Sequence, residues 1–348
     1  METLPVGFLA ALVGLGGGLV LGLGWRLGGL CTLAALESAV YGGDQKRLRL
    51  WGIVIGVAIL GTQLGAWAGL INLEGTLYHA FVWNPFASIV GGLLFGYGMA
   101  LAGNCGFGAL ARFGGGDVRS LVLVVVMGIV GFVALSGPLA PLRTLLFPQP
   151  EATGPQGIVH DLQAFLGIPA AVTIVVTAVG CLVWALSNER LRKDWHMLAW
   201  GVAAGIAVTW CFAGTSYLED ISLGAVAPEG PSFTAPIGRT LIYLMTSTAG
   251  GITFSVGSVA GVILGAFIGS SIKGTFVWEA CEDPRELGRQ VGGAALMGIG
   301  GVVAMGCSIG QGVSGVAVLA WSGPVTLACI VVGALFGLRQ LIGGFQRI

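Results

Sequence analysis

Gly103-Asn104-Cys105-Gly106-Phe107-Gly108 and Gly306-Cys307-Ser308-Ile309-Gly310-Gln311-Gly312 each fall within an apolar run long enough to cross a bilayer, and Gly28-Gly29-Leu30-Cys31-Thr32 does the same near the amino terminus. A membrane helix needs about 20 apolar residues. Glycine at these points releases backbone groups from the helix ladder. In hydrocarbon such groups are tolerated only where protein buries them or they line a polar cavity. The three breaks, each with a cysteine, therefore mark a pathway through a membrane protein.

The rest of the chain agrees. Of 348 residues, 55% are hydrophobic and 9% charged, against about a quarter charged in soluble domains, and the mean hydropathy is +0.91. Sixteen basic and 16 acidic residues could not cover a water-soluble globule of this size. The net charge of +0 comes from short clusters of Lys and Arg with no basic face, which excludes nucleic acid as a partner. The 62 glycines call for close helix packing or broken helices. No cleavable signal pattern precedes the first apolar run, which reads as a first span. Seven cysteines without a CxxC pair, and three histidines away from them, indicate neither a disulfide framework nor a metal site. No cofactor is expected.

Apolar stretches predict an all-α polytopic membrane protein with about nine crossings, at 6–40, 51–71, 86–111, 120–137, 168–187, 197–215, 239–272, 291–313 and 324–345. Basic clusters at Lys46, Arg47 and Arg49, at Arg112 and Arg119, at Arg190, Arg192 and Lys193, at Lys273, Arg285 and Arg289, and at Arg339 alternate with loops containing Glu74, Asp161, Glu219 and Glu229. The positive-inside rule then places the amino terminus outside and the carboxyl terminus in the cytoplasm.

An internal repeat underlies the breaks. Laying Cys31 on Cys105 superposes Gly17, Gly22 and Gly24 on Gly91, Gly96 and Gly98; laying Cys105 on Cys307 superposes those three on Gly293, Gly298 and Gly300. A weaker copy at 197–215 puts Gly214 where the cysteine should be, with Cys211 one turn earlier. Opposite orientations of the copies predict two inverted repeats, 1–137 and 197–348, joined by an external loop and connecting helix at 138–196. Such repeats with discontinuous helices characterise transporters with a midplane site.

The chain resembles the YeeE/YedE sulfur-transport family over nearly its full length, through Gly29-Leu30-Cys31-Thr32, Gly103 to Gly108, Trp278-Glu279-Ala280 and Met305 to Gly312. The resemblance implies a bacterial inner-membrane importer of thiosulfate or a related sulfur anion, with short re-entrant helices and a constriction lined by thiols. It implies Cys31, Cys105 and Cys307 as relay thiols, and a small cytoplasmic sulfur-carrier-like partner. The mixed-charge loop from Lys273 to Arg289 is a candidate surface for that partner.

A relay needs weak, repeated donors so that the anion enters and leaves, and neutral thiols, because a thiolate repels a dianion. Asn104, Ser308 and Gln311 are candidate further donors, or caps for the half-helices. Arg26 is the nearest cation in sequence; an arginine within a span reads as functional, as paired with Glu37, or as snorkelling to the interface. Cys181 and Cys329 read as packing residues, Cys281 as a loop bystander, and Gly114-Gly115-Gly116-Asp117, lacking the Lys of a phosphate loop, as a turn. The tryptophans near span ends, Trp51, Trp83, Trp195, Trp278 and Trp321, fit an interfacial belt. Two other functions compete, a membrane thiol oxidoreductase and a general small-anion channel.

Overall fold

The computed structural model describes residues 5–154, 156–248, 250–279 and 283–344. The chain forms α1 (Val6–Gly28), α2 (Thr32–Val40), α3 (Lys46–Trp67), α4 (Leu77–Ala80), α5 (Pro85–Ala102), α6 (Gly106–Gly114), α7 (Val118–Leu135) and α8 (Ala140–Leu146). Then follow α9 (Ile158–Leu166), α10 (Ala170–Leu186), α11 (Glu189–Lys193), α12 (Trp195–Ile221), α13 (Ala235–Thr246), α14 (Phe254–Lys273), α15 (Pro284–Val303), a wide π-helical turn at Gly310–Gly315, and α16 (Ser322–Gly344). Among the described residues, β pairing is limited to isolated bridges between Phe81 and Glu151 and between Asp117 and Glu279. The protein is an all-α polytopic membrane protein.

Among the described residues, seven helical segments are long and apolar enough to span, with α1–α2 and α5–α6 each counted as one. Of the other expected crossings, α10 is apolar but has 17 residues, and α15 has 20 but carries Arg285, Glu286 and Arg289 in its first turns. The expected crossing at 239–272 is two elements. Its first part belongs to the 12-residue α13, too short to span, and α14 alone supplies the crossing. The continuous apolar character of 239–272 hides this boundary.

All three breaks occur where the glycines and cysteines lie, and they share a backbone form. Two residues before each cysteine the chain turns left-handed, at Gly29 (φ 75°), Gly103 (φ 74°) and Met305 (φ 58°). Glycine adopts this conformation freely, whereas a side chain such as that of Met305 strains it by about 1–2 kcal/mol. Each cysteine then starts the next turn, its carbonyl accepting from the fourth residue on: Ala35 (3.0 Å), Ala109 (2.8 Å) and Gln311 (2.8 Å). The weak copy at 197–215 is not broken. Instead α12 runs straight through Gly214, and the fully buried Cys211 packs against α1 at Gly17.

The repeat glycines are the contact surfaces of the spans. A Cβ on Gly91 would sit 2.7 Å from the Gly300 carbonyl oxygen and one on Gly300 2.7 Å from that of Gly91; Gly98 and Gly293 face each other in the same way, at 2.5 and 2.6 Å. Thus α5 and α15 touch backbone to backbone. In a related manner Gly14, Gly18 and Gly22 of α1 approach the backbone of Phe254, Ser258 and Val262 of α14, whose Gly257, Gly261 and Gly265 approach that of Ala11, Leu15 and Leu19, and Gly92 and Gly96 of α5 meet α16, whose Gly333 and Gly337 reply. Helix α12 packs on α3, α1 on α14, α15 on α7 and α5 on α16, with α1–α12 and α5–α15 joining the pairs.

At the basic end, Asp194 caps α12 by accepting from the Met197 N–H (3.1 Å) and binds Lys46 Nζ at 2.5 Å, tying α3 to α12. The Lys46 hydrogen bond, then the Met197 N–H, hold the Asp194 carboxyl below its usual range. Gly114 to Asp117 is a turn, Asp117 capping α7 through the N–H groups of Arg119 and Ser120.

Gly257→Ala, whose new methyl would overlap the Ala11 carbonyl, is expected to cost about 1–3 kcal/mol and to lower the thermal unfolding midpoint in detergent. Gly180→Ala, with nothing within 4 Å of the added methyl, should leave it in place; equal midpoints for the two variants would refute glycine-mediated contact.

Candidate functional site

The breaks bring the sequence-predicted residues together. Cys105 lies within electrostatic range of both Cys31 and Cys307, beside the Ser308 hydroxyl. Cys105 and Cys307 are buried, and Cys31, which precedes α2, is half-buried. Three different parts of the chain thus bring their thiols into one neighbourhood.

Two of the thiols act as caps. Cys105 Sγ accepts from the Gly108 N–H at 3.4 Å. Cys307 Sγ accepts from the N–H groups of Gly310 and Phe233, both at 3.3 Å, with Ser232 Oγ at 4.0 Å. Cys31 makes no such bond. The sequence leaves Asn104, Ser308 and Gln311 open as caps or as further donors, and in the structure sulfur takes the capping position. Asn104 Oδ1, Ser308 Oγ and Gln311 Oε1 are buried without a hydrogen-bond partner among the described residues, as are Thr32 Oγ1 and Thr234 Oγ1. Gln311 Nε2 donates to the Ala304 carbonyl at 2.7 Å, which fixes the amide. Buried polar atoms left unpaired cost about 1–3 kcal/mol each, so those flanking the three thiols call for a partner that the described residues do not supply.

Several residues here carry no signal in the sequence. Phe233 supplies an N–H to Cys307 and stacks on Phe107 with ring centroids 5.2 Å apart. Tyr78 donates its hydroxyl to the Gly310 carbonyl at 2.6 Å, and Ser314 Oγ donates to that of Pro231 at 2.9 Å. Trp25 holds a buried indole N–H without a partner; the point a Cβ on Gly108 would occupy is 3.7 Å from both Trp25 Nε1 and Cys105 Sγ. These residues sit in loops or on an ordinary helix face, so only the folded chain brings them to the motif.

Beyond Cys307 the loops open into a cavity of about 590 Å³ whose wall includes Arg143, Arg239, Glu229, Ser232, Thr234 and Gly306. Arg239 pairs with Glu229 at 3.4 Å, and Arg143 Nε donates to the Ala134 carbonyl. Arg239, expected as the start of a span, lies on this wall. The other expected positions differ in outcome. Arg26 does not pair with Glu37, and lies instead within range of Arg112, Asp117 and Glu279. Trp195 and Trp278 are exposed, while Trp83 stacks on Trp321 at 6.0 Å and Trp321 Nε1 donates to Asp161 at 2.5 Å. Cys281 lies outside the described residues.

Helices broken within apolar runs, with buried thiols and polar groups at the breaks, are the construction of a membrane transport protein. The chain belongs to the sulphur transport family, whose model matches residues 27–336. It is similar to the thiosulfate transporter TsuA of Escherichia coli (strain K12), 25% identical over 322 residues that cover 88% of this chain and 87% of the relative. It is also similar to the thiosulfate transporter TsuA of Spirochaeta thermophila, 24% identical over 314 residues covering 84% of this chain and 88% of the relative. These relatives are transporters, not enzymes.

Cys307→Ala leaves the Gly310 and Phe233 N–H groups without an acceptor and is expected to destabilise the detergent-solubilised protein by about 1–3 kcal/mol. Cys307→Ser restores an acceptor and should recover part of the loss. Thermal melts in which alanine and serine variants both match the original protein would show that the thiol does not cap the break.

Proposed function

We propose that the chain imports thiosulfate or a related inorganic sulfur anion across the bacterial inner membrane, its basic end in the cytoplasm. The cluster of unpaired buried polar atoms around the thiols carries this reading. In this scheme the anion enters through the arginine-bearing cavity, reaches Cys307, and passes by Cys105 and Cys31, with Asn104, Ser308 and Gln311 contributing polar contacts. A thiol donates weakly, so each station holds a dianion loosely enough to release it. The division into inverted repeats 1–137 and 197–348 explains why one break pattern faces the pathway from both directions. Delivery to a small sulfur-carrier-like protein at the loop between Lys273 and Arg289 completes the scheme.

Uptake of sulfur-labelled thiosulfate into vesicles containing the purified protein tests it. Cys105→Ser and Cys307→Ser should abolish uptake, Cys181→Ser and Cys329→Ser should preserve it, and excess reductant should not inhibit. Survival of uptake in the first pair would point to a general anion channel, and inhibition by reductant to a redox enzyme.

Membrane orientation has its own test. Impermeant labels on single introduced cysteines should reach positions 161 and 229 from outside and positions 46 and 193 only after permeabilisation. Labelling of 46 and 193 from opposite sides would overturn the inverted arrangement.

A further inference from the structure

We propose that Arg26 and Arg112 form an oxyanion-binding station at the basic end of the bundle, one step beyond the thiols. It rests on the pathway described above and extends it to the exit.

Helices α1, α6 and α14 end side by side, and each brings a cation in its last turn: Arg26, Arg112 and Lys273. Lys273 Nζ donates to the Arg26 carbonyl at 2.5 Å, so its charge is partly spent on a helix end. The two arginines are different. They lie within range of each other, and among the described residues neither forms an ion pair; Arg26 Nε is buried without a hydrogen-bond partner. Asp117 and Glu279 also lie within range of Arg26, but their ion pairs are made to Arg119, at 3.4 and 3.6 Å. The buried Nε of Arg26, unused beside a second guanidinium, is a charged donor that a bound anion completes.

The position of Arg26 is built. Its stem packs on Gly269, and its guanidinium occupies the space that a Cβ on Gly115 would take. The guanidinium carbon also stands 5.1 Å from the Trp25 ring centroid. Trp25 in turn carries an indole N–H that is unpartnered among the described residues and lies, like Cys105 Sγ, 3.7 Å from the point a Cβ on Gly108 would occupy. A run of donors therefore leads from the thiols to the arginines: Cys105, Trp25 Nε1, Arg26, Arg112. Over this end lies the segment ending in Trp278 and Glu279, held by backbone bonds from Val118 N to the Glu279 carbonyl and from Glu279 N to the Gly116 carbonyl, both 3.1 Å. The ligand class is a tetrahedral oxyanion with a sulfonate-like face, which a guanidinium fork matches and an ammonium does not.

The test uses oriented membrane vesicles and the concentration of thiosulfate giving half-maximal transport from each face. Arg26→Gln and Arg112→Gln should raise it about tenfold or more from the basic face and within about twofold from the other, since a charged hydrogen bond is lost at one end only. Arg26→Lys should recover only part of the affinity. Gly115→Ala supplies a variant that folds, because φ at this position is −90°, yet displaces the guanidinium; it should reproduce the asymmetric rise. An equal rise from both faces, or no rise in either glutamine variant, would overturn the station. If the unaltered protein moves no thiosulfate, the transport reading fails separately. In that case thermal shifts of detergent-solubilised protein by sulfate and thiosulfate still decide the site: they should be present in the unaltered protein and lost in Arg26→Gln and Gly115→Ala. Shifts unchanged by both substitutions would reject it.

Discussion

A peptide group in hydrocarbon must find a partner within the protein, and this chain breaks its helices in the membrane at three points. Everything around the pathway follows from how those freed groups are satisfied. A left-handed residue redirects the backbone, a cysteine carbonyl starts the next turn, and at Cys105 and Cys307 the sulfur accepts an amide that the helix no longer serves. Sulfur is a weak acceptor, so the cap holds the break without saturating the polar atoms beside it. A carboxylate cap would bind these amides more strongly and repel an anion. The thiol reconciles a stable break with a passable one.

Glycine solves the complementary problem of bringing the breaks to one place. Lipid supplies no hydrophobic force between helices, so packing has to come from close approach. The reciprocal pairs Gly91 with Gly300 and Gly98 with Gly293 fix α5 antiparallel against α15 at backbone distance, and Cys105 and Cys307 follow the ends of these two helices. The spacing that reveals the repeat in the sequence is therefore the spacing of a contact.

Fold class and break positions were legible because each has a local signature: a long apolar run, or glycines flanking a cysteine inside one. What was not legible depends on partners distant in the chain. The split between α13 and α14 is invisible because both sides are apolar. The 197–215 copy carries the glycines of the pattern but stays straight, since Gly205 and Gly214 receive Val57 of α3 and Val13 of α1 as packing partners. Arg26 looked closest to Glu37 along the chain, whereas the fold turns it toward Arg112. Phe233, Tyr78 and Trp25 reach the thiols from a loop, a short helix and the side of α1, and nothing in their neighbours announces it.

The glycine face of α1 has a consequence for biogenesis. Its complement on α14 is translated more than two hundred residues later, as is the α16 face that receives α5. During synthesis these early helices stand in lipid with their contact ridges unmatched, and the amides of the Cys105 break lack the surrounding wall until the last quarter of the chain has been inserted. Such long-range pairing makes assembly slow and leaves early spans open to wrong neighbours. The membrane insertion machinery must therefore keep the first half of this protein from associating prematurely, and a ribosome stalled before α14 would leave a fragment with no way to bury its own pathway.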